Sequence, residues 1–230
     1  MIDHLTIDGL TFSLRLSPRR RTIGITVRHD GGLEVAAPAG CRRRHIESAV
    51  RGKLPWVRRK QAEIASRPSP PPRLWVNGET LPYLGTPYPL CFVADGGTPV
   101  RLRGGRFLME PAAAADGRRH MIDWYAAHAG PLLARRVDRF AATVGASPAS
   151  IAVKDLGRRW GTCHADGRLR FHWQIVLFPR PVLDYIVVHE LAHLRELNHS
   201  RSFWGHVEAA LPDYRERKAW LRHESGPFTL

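Results

Sequence analysis

Cysteine is scarce in this 230-residue chain: Cys41, Cys91 and Cys163 stand far apart and are odd in number. Such a set builds no disulfide framework and points to a reducing compartment. No apolar run approaches the roughly 18 residues that a membrane-spanning helix needs. The first residues, Met1 to Thr6, lack a basic start followed by an apolar run, so no secretory leader is expected. A soluble, cytoplasmic protein with no membrane partner is the expectation. Also missing is a glycine-rich phosphate loop. Acidic residues are short as well, 21 against 35 Lys and Arg, for a net charge of +14. Residues 1–115 carry +9 of it and the rest +5. A positive field attracts phosphate-rich or acidic partners, although an arginine-rich surface is often only solvated.

What is there suffices for one large domain or two small ones with a core of their own. Period-two alternation predicts strands over Leu10–Leu16 and Thr22–Val27, with Asp30-Gly31-Gly32 as a turn before Leu33–Val35. From Arg42 the apolar spacing turns helical through Ile46, Val50, Leu54 and Val57, with Trp56, to about Arg67. The run Ser66–Pro72 reads as a linker. Short strands are expected at Leu74–Val76, Leu90–Val93, Val100–Leu102 and Phe107–Met109, and a junction at Ala112–Asp116. Helical spacing returns from Arg118 to about Val144. Strands follow at Ile151–Val153 and Leu169–Trp173, then helices from Pro181, from Ser200 to Leu211, and from Asp213 to about His223. The reading divides the chain into a β-rich basic region with one helix (1–115) and a second domain (116–230).

The helix after Pro181 carries His189-Glu190-Leu191-Ala192-His193. Two His four apart lie on one helical face, about 6 Å apart along the axis, and both imidazoles can reach one ion. Glu190 stands beside them, placed to take a proton from metal-bound water. A tetrahedral site with one open position needs a third ligand. His199 is ten residues after His189, too far along a straight helix. The helix should therefore end near Leu197, with Asn198 in a left-handed cap and Ser200 capping the next helix. Glu208 is the alternative third ligand, and Cys163 a thiolate that could occlude the metal. One Zn(2+) per chain is the expected cofactor.

The stretch Tyr185–Leu194, with Asn198-His199-Ser200, Phe203-Trp204, Val207-Glu208 and Pro212-Asp213-Tyr214, resembles the YgjP-like metallopeptidase family. Arg159-Trp160-Gly161-Thr162-Cys163 is similar to that family's Arg-Trp-Gly-Ser-Cys signature, with Thr in place of Ser. The likeness extends more loosely to the region near Arg19–Arg21, Ala37-Pro38 and Trp56. It implies an α+β, zincin-like metallopeptidase core: a backing helix, a small antiparallel sheet and the HExxH helix, behind a β-rich N-terminal region. More distantly the chain is similar to SprT-like proteases that act on DNA-bound proteins.

The reading is thus a zinc metallopeptidase with a protein or peptide substrate, Glu190 as general base and His189, His193 and His199 as ligands. His206, Tyr214 and Arg159 are candidates to stabilise the oxyanion or support the ligands, and Leu169–Trp173 is the expected edge strand for the substrate. Two alternatives stay open. One is hydrolysis of nucleotide phosphoanhydrides. The other is a DNA-associated protein with weak or recruited protease activity, for which Arg19, Arg20, Arg42 and Arg43 are the candidate nucleic-acid contacts.

Overall fold

The computed structural model describes residues 3–28, 31–65, 73–157, 159–226, 228 and 230. The expected linker Ser66–Pro72 and Asp30 of the expected turn lie outside the described residues. The chain forms two compact units, Met1–Ser69 and Pro70–Leu230.

In the first unit β1 (Asp3–Ile7), β2 (Leu10–Ser17), β3 (Gly24–Val27) and β4 (Leu33–Pro38) make one sheet, ordered β1-β2-β4-β3. Asp8 and Gly9, at φ 48° and 78°, form the two-residue turn between β1 and β2. Positive φ at both central positions is what a tight antiparallel hairpin requires, and Asp-Gly tolerates it. Alternation buries Phe12 and Leu14 of β2 and Leu33 and Val35 of β4 in one cluster with Ile46, Val50, Leu54 and Val57. Those four lie on two helices, α1 (Arg43–Arg51) and α2 (Leu54–Ala65), where the sequence suggested one. Pro55 explains the break. It has no N–H to donate, and its ring would collide with the Arg51 carbonyl in a continuous helix, whereas a first turn tolerates it. Arg19 and Arg20 follow β2; Arg42 and Arg43 open α1.

The second unit starts with β5 (Thr80–Tyr83), β6 (Thr86–Phe92), β7 (Val100–Arg103) and β8 (Arg106–Met109), ordered β5-β6-β8-β7. The expected strand at Leu74–Val76 is not one. Trp75 is left-handed at φ 53°, and its N–H donates to the Glu79 carboxylate at 2.7 Å. A short 3-10 turn at Pro111–Asp116 leads into α3 (Gly117–Val144), 28 residues long. Its buried face is Met121, Tyr125, Ala129, Leu133, Val137, Phe140 and Val144, and Gly145 ends it at φ 69°. Then come β9 (Ser150–Lys154), β10 (Gly161–Cys163), β11 (Arg168–His172), α4 (Arg180–Ala192), α5 (Arg201–Ala210) and α6 (Tyr214–His223). No helix among the described residues is long and apolar enough to cross a membrane.

The architecture is α+β, with several small sheets and six α-helices among the described residues. Three further expectations change. The division falls at Ser69/Pro70, not after residue 115, because Leu81, Leu90, Phe107 and Met109 share one core with α3 and α4. The sheet before α4 is mixed rather than antiparallel: β10 pairs antiparallel and β9 parallel with β11. Leu169–Trp173 is therefore no edge, since β11 is the central strand and β10 an edge.

Residues Val182 to Val188 of α4 are all buried, so this helix runs through the core rather than over it. Asp184 among them is 7% exposed, and α3 neutralises it: Arg136 Nε donates to Oδ1 at 2.6 Å and a second guanidinium nitrogen donates to Oδ2. Removing one partner of a buried pair leaves a stranded charge at a cost of about 3–5 kcal/mol. Asp184→Ala should lower urea-unfolding stability by about that amount, and the double variant Arg136→Met/Asp184→Leu should recover most of it.

Candidate metal centre

Helix α4 delivers His189 and Glu190 from its last turn, and His193 stands at its C-cap. The helix thus ends before the expected Leu197. The chain turns back through tight steps, Leu194 N–H to Leu191 O and Arg195 N–H to Ala192 O, both 3.0 Å. Asn198 is not left-handed, so no αL cap is needed here. The sharper turn brings His199 back toward the helix, and Ser200 then caps α5, its Oγ accepting from Phe203 N–H at 3.2 Å.

The result is a cluster of His189, His193 and His199, each offering one ligand atom, all within 4.8 Å of one another. His189 Nε2 and His199 Nε2 approach to 3.1 Å, a separation that one shared proton or one cation can satisfy. His193 is oriented by its Nδ1, 3.1 Å from the Glu196 carbonyl. Such a bond to a carbonyl fixes the tautomer and leaves Nε2 as the free lone pair. Phe203 touches all three imidazoles, with ring centroids 5.0, 4.6 and 4.7 Å from His189, His193 and His199. Trp204 stacks on His199 at 5.7 Å.

Burial, then the neighbouring His193, His199 and Lys218, push the His189 pKa down to about 3. The His199 value is also lowered, first by desolvation and then by His193 and Lys218. Neutral imidazoles present lone pairs, as a cation requires. In a tetrahedral zinc shell with bonds of about 2.0–2.1 Å, ligand atoms lie roughly 3.3–3.4 Å apart. The triad meets that spacing with small side-chain adjustments, so these residues fit a metal ion.

Glu190 is 6% exposed, and burial raises its pKa to about 7. Its neighbour on β10 is Gly161, where a Cβ would lie 2.5 Å from Glu190 Cγ and 2.7 Å from Oε1. Glycine is thus the residue that lets strand and carboxylate meet. A cavity of about 240 Å³ opens beside them, lined by Arg159, Trp160, Gly161, Tyr185, Ile186, His189, Glu190 and Leu221. Of the other candidates, Arg159 borders this cavity. Tyr214 is buried with its ring stacked on Trp204 at 5.2 Å. The His206 side chain makes no hydrogen bond or ring contact among the described residues, and Glu208 is paired with Arg215 at 3.1 Å. The Cys163 thiol is half-buried, its pKa raised by burial and by Glu190. Lys218 places its Nζ 4.0 Å from the Trp204 ring centre, a contact for which the sequence carries no local signal.

The raised Glu190 pKa has a testable sign. In the metal-free protein the folded carboxyl holds its proton up to about pH 7, while the unfolded one releases it near 4.5. The folded state binds more protons in that window, so this group costs stability as pH rises through it. Metal-free Glu190→Gln should be more stable than wild type at pH 8, on the order of 3 kcal/mol, with the gap closing by about pH 4. His189 affects both proteins alike, so thermal melts across pH isolate Glu190.

An α+β unit with His-Glu-x-x-His on a buried helix and a third imidazole folded against it has the make-up of a metallopeptidase. Residues 21–224 match the family described as YgjP-like, metallopeptidase domain. The chain belongs to the YgjP-like metallopeptidase family. Among solved structures, the crystal structure of the metallopeptidase zymogen of Pyrococcus abyssi abylysin is similar at 20% identity and a TM-score of 0.36, over 40% of this chain and 95% of that one. No curated protein matches.

Proposed function

We propose that this protein is a zinc-dependent peptidase in which His189, His193 and His199 hold the ion and Glu190 is the general base. The observation that carries the reading is the convergence of one ring nitrogen from each of three histidines within 4.8 Å, beside Glu190, a carboxylate buried on the helix that carries His189. Bound there, zinc supplies Lewis acidity, polarising a carbonyl and making water acidic enough to attack near neutral pH. Glu190 takes the proton from the attacking water as its oxygen bonds to the carbonyl carbon. It returns that proton to the amine nitrogen as the C–N bond breaks. The free edge of β10, rather than β11, is where an extended peptide can add main-chain hydrogen bonds beside Glu190.

The test is a substrate profile of the zinc-loaded protein, with casein and peptide libraries beside nucleoside triphosphates. Peptide cleavage abolished by chelation and restored by zinc supports the reading. Triphosphate hydrolysis without peptide cleavage overturns it.

A second reading concerns residues 1–69, which hold fourteen Lys or Arg against six Asp or Glu. Arg19 and Arg42 are exposed there. We propose that this basic unit contacts nucleic acid through Arg19, Arg20, Arg42 and Arg43. Affinity for duplex DNA should then fall with salt at a log–log slope of about −0.9 per phosphate contacted. Changing Arg19, Arg20, Arg42 and Arg43 to Ser should flatten that slope; an unchanged slope assigns the charge to solvation alone.

A further inference from the structure

Several basic residues of the second unit have carboxylate partners. Arg215 is paired with Glu208 and Arg217 with Asp213, at 3.1 and 2.9 Å. Arg168 is paired with Asp166 at 2.7 Å. Lys218, on the same helix as Arg215 and Arg217, has no carboxylate partner among the described residues. Its ammonium instead lies 4.0 Å from the centre of Trp204, whose ring stacks on His199 at 5.7 Å. The chain thus carries a half-buried cation beside the cluster on an aromatic plate. Arg159 likewise has no carboxylate partner among the described residues, and it borders the cavity that His189 and Glu190 line. The remaining wall of that cavity is apolar or aromatic: Trp160, Tyr185, Ile186 and Leu221. Lys218 and Arg159 thus stand beside a centre whose one lining carboxylate, Glu190, is the proposed general base.

We propose that the cleft selects peptides bearing a carboxylate next to the scissile bond, read by Arg159 at the cavity and by Lys218 beside His199. This inference rests on the peptidase reading and names its substrate class. A carboxylate supplies the acceptors both cations lack, and its flanking apolar atoms match the cavity wall. Arg offers a planar two-point donor, whereas Lys is a point charge held against an aromatic face. The carboxylate has two sources, a C-terminal α-carboxylate or an Asp or Glu side chain.

Matched peptides decide between them: Asp or Glu against Asn or Gln at each position flanking the cleaved bond, each with a free and an amidated C-terminus. Wild type should favour the charged member by about tenfold in kcat/KM, with the difference in KM. Lys218→Met and Arg159→Gln should each shrink that ratio by about threefold or more, while Lys218→Arg retains it. Loss of preference on amidation assigns the α-carboxylate, and loss on Asn or Gln replacement the side chain. A wild-type ratio near one, or a ratio unmoved by both variants, overturns the proposal. Binding of the same peptides is also followed by tryptophan fluorescence in zinc-loaded Glu190→Gln protein. Equal affinity for charged and neutral members overturns the proposal even if no peptide is cleaved, an outcome that would instead sink the peptidase reading.

Discussion

Glu190→Gln is expected to keep the metal and the fold while losing about 10²–10⁴-fold in peptide turnover, the usual contribution of a positioned acid–base group. The amide is nearly isosteric with the carboxylate, so the close fit against Gly161 survives. It cannot accept the proton of the attacking water. Glu190 is outside the group of three residues that converge on one point, so metal content should not change. The loss should appear in kcat, because a base acts in the transition state rather than in substrate binding. Turnover near the wild-type rate with metal in place would remove Glu190 from the chemistry.

The second large effect is on metal affinity. His199→Ala should weaken zinc binding by about a hundredfold or more, beyond the 10–100-fold that supporting residues commonly contribute. His199 is the exposed member of the triad and the one not held by α4. It reaches the cluster through the turn after Ala192 and the Ser200 cap. Glu208→Ala is the matched control. Glu208 pairs with Arg215 on the surface and stands outside the converging group, so zinc affinity should stay within about threefold of wild type. A zinc titration in which Glu208→Ala is the damaging change would exchange their roles.

The centre was more legible in the sequence than its setting. His189, Glu190 and His193 follow from helical spacing, and the position of His199 follows from the need for a third ligand off the helix axis. The route by which His199 arrives was misread, because consecutive i→i+3 turns after Ala192 leave no residue signature of the kind that an αL cap does. Local pattern also found most strands and all of α3. It missed the Asp8-Gly9 hairpin and the break before Pro55, although both carry recognisable turn and breaker chemistry. The domain boundary failed for a different reason. Whether Leu81, Leu90 and Phe107 pack on α3 is a long-range fact that no window of sequence contains. Strand order is equally non-local, which is why local pattern alone puts Leu169–Trp173 at an edge and gives no sign of β10. Lys218 belongs to the same category, since only the packing of α6 against Trp204 reveals it.

The central claim is one zinc ion held by three imidazoles. Anomalous diffraction above and below the zinc edge, on crystals of protein purified without chelator, tests it most directly. The account predicts one peak per chain, about 2.0–2.1 Å from one ring nitrogen of each of His189, His193 and His199, with Glu190 outside bonding distance. No peak at the triad, or a peak bound by Glu208 or Cys163 in place of His199, would contradict it.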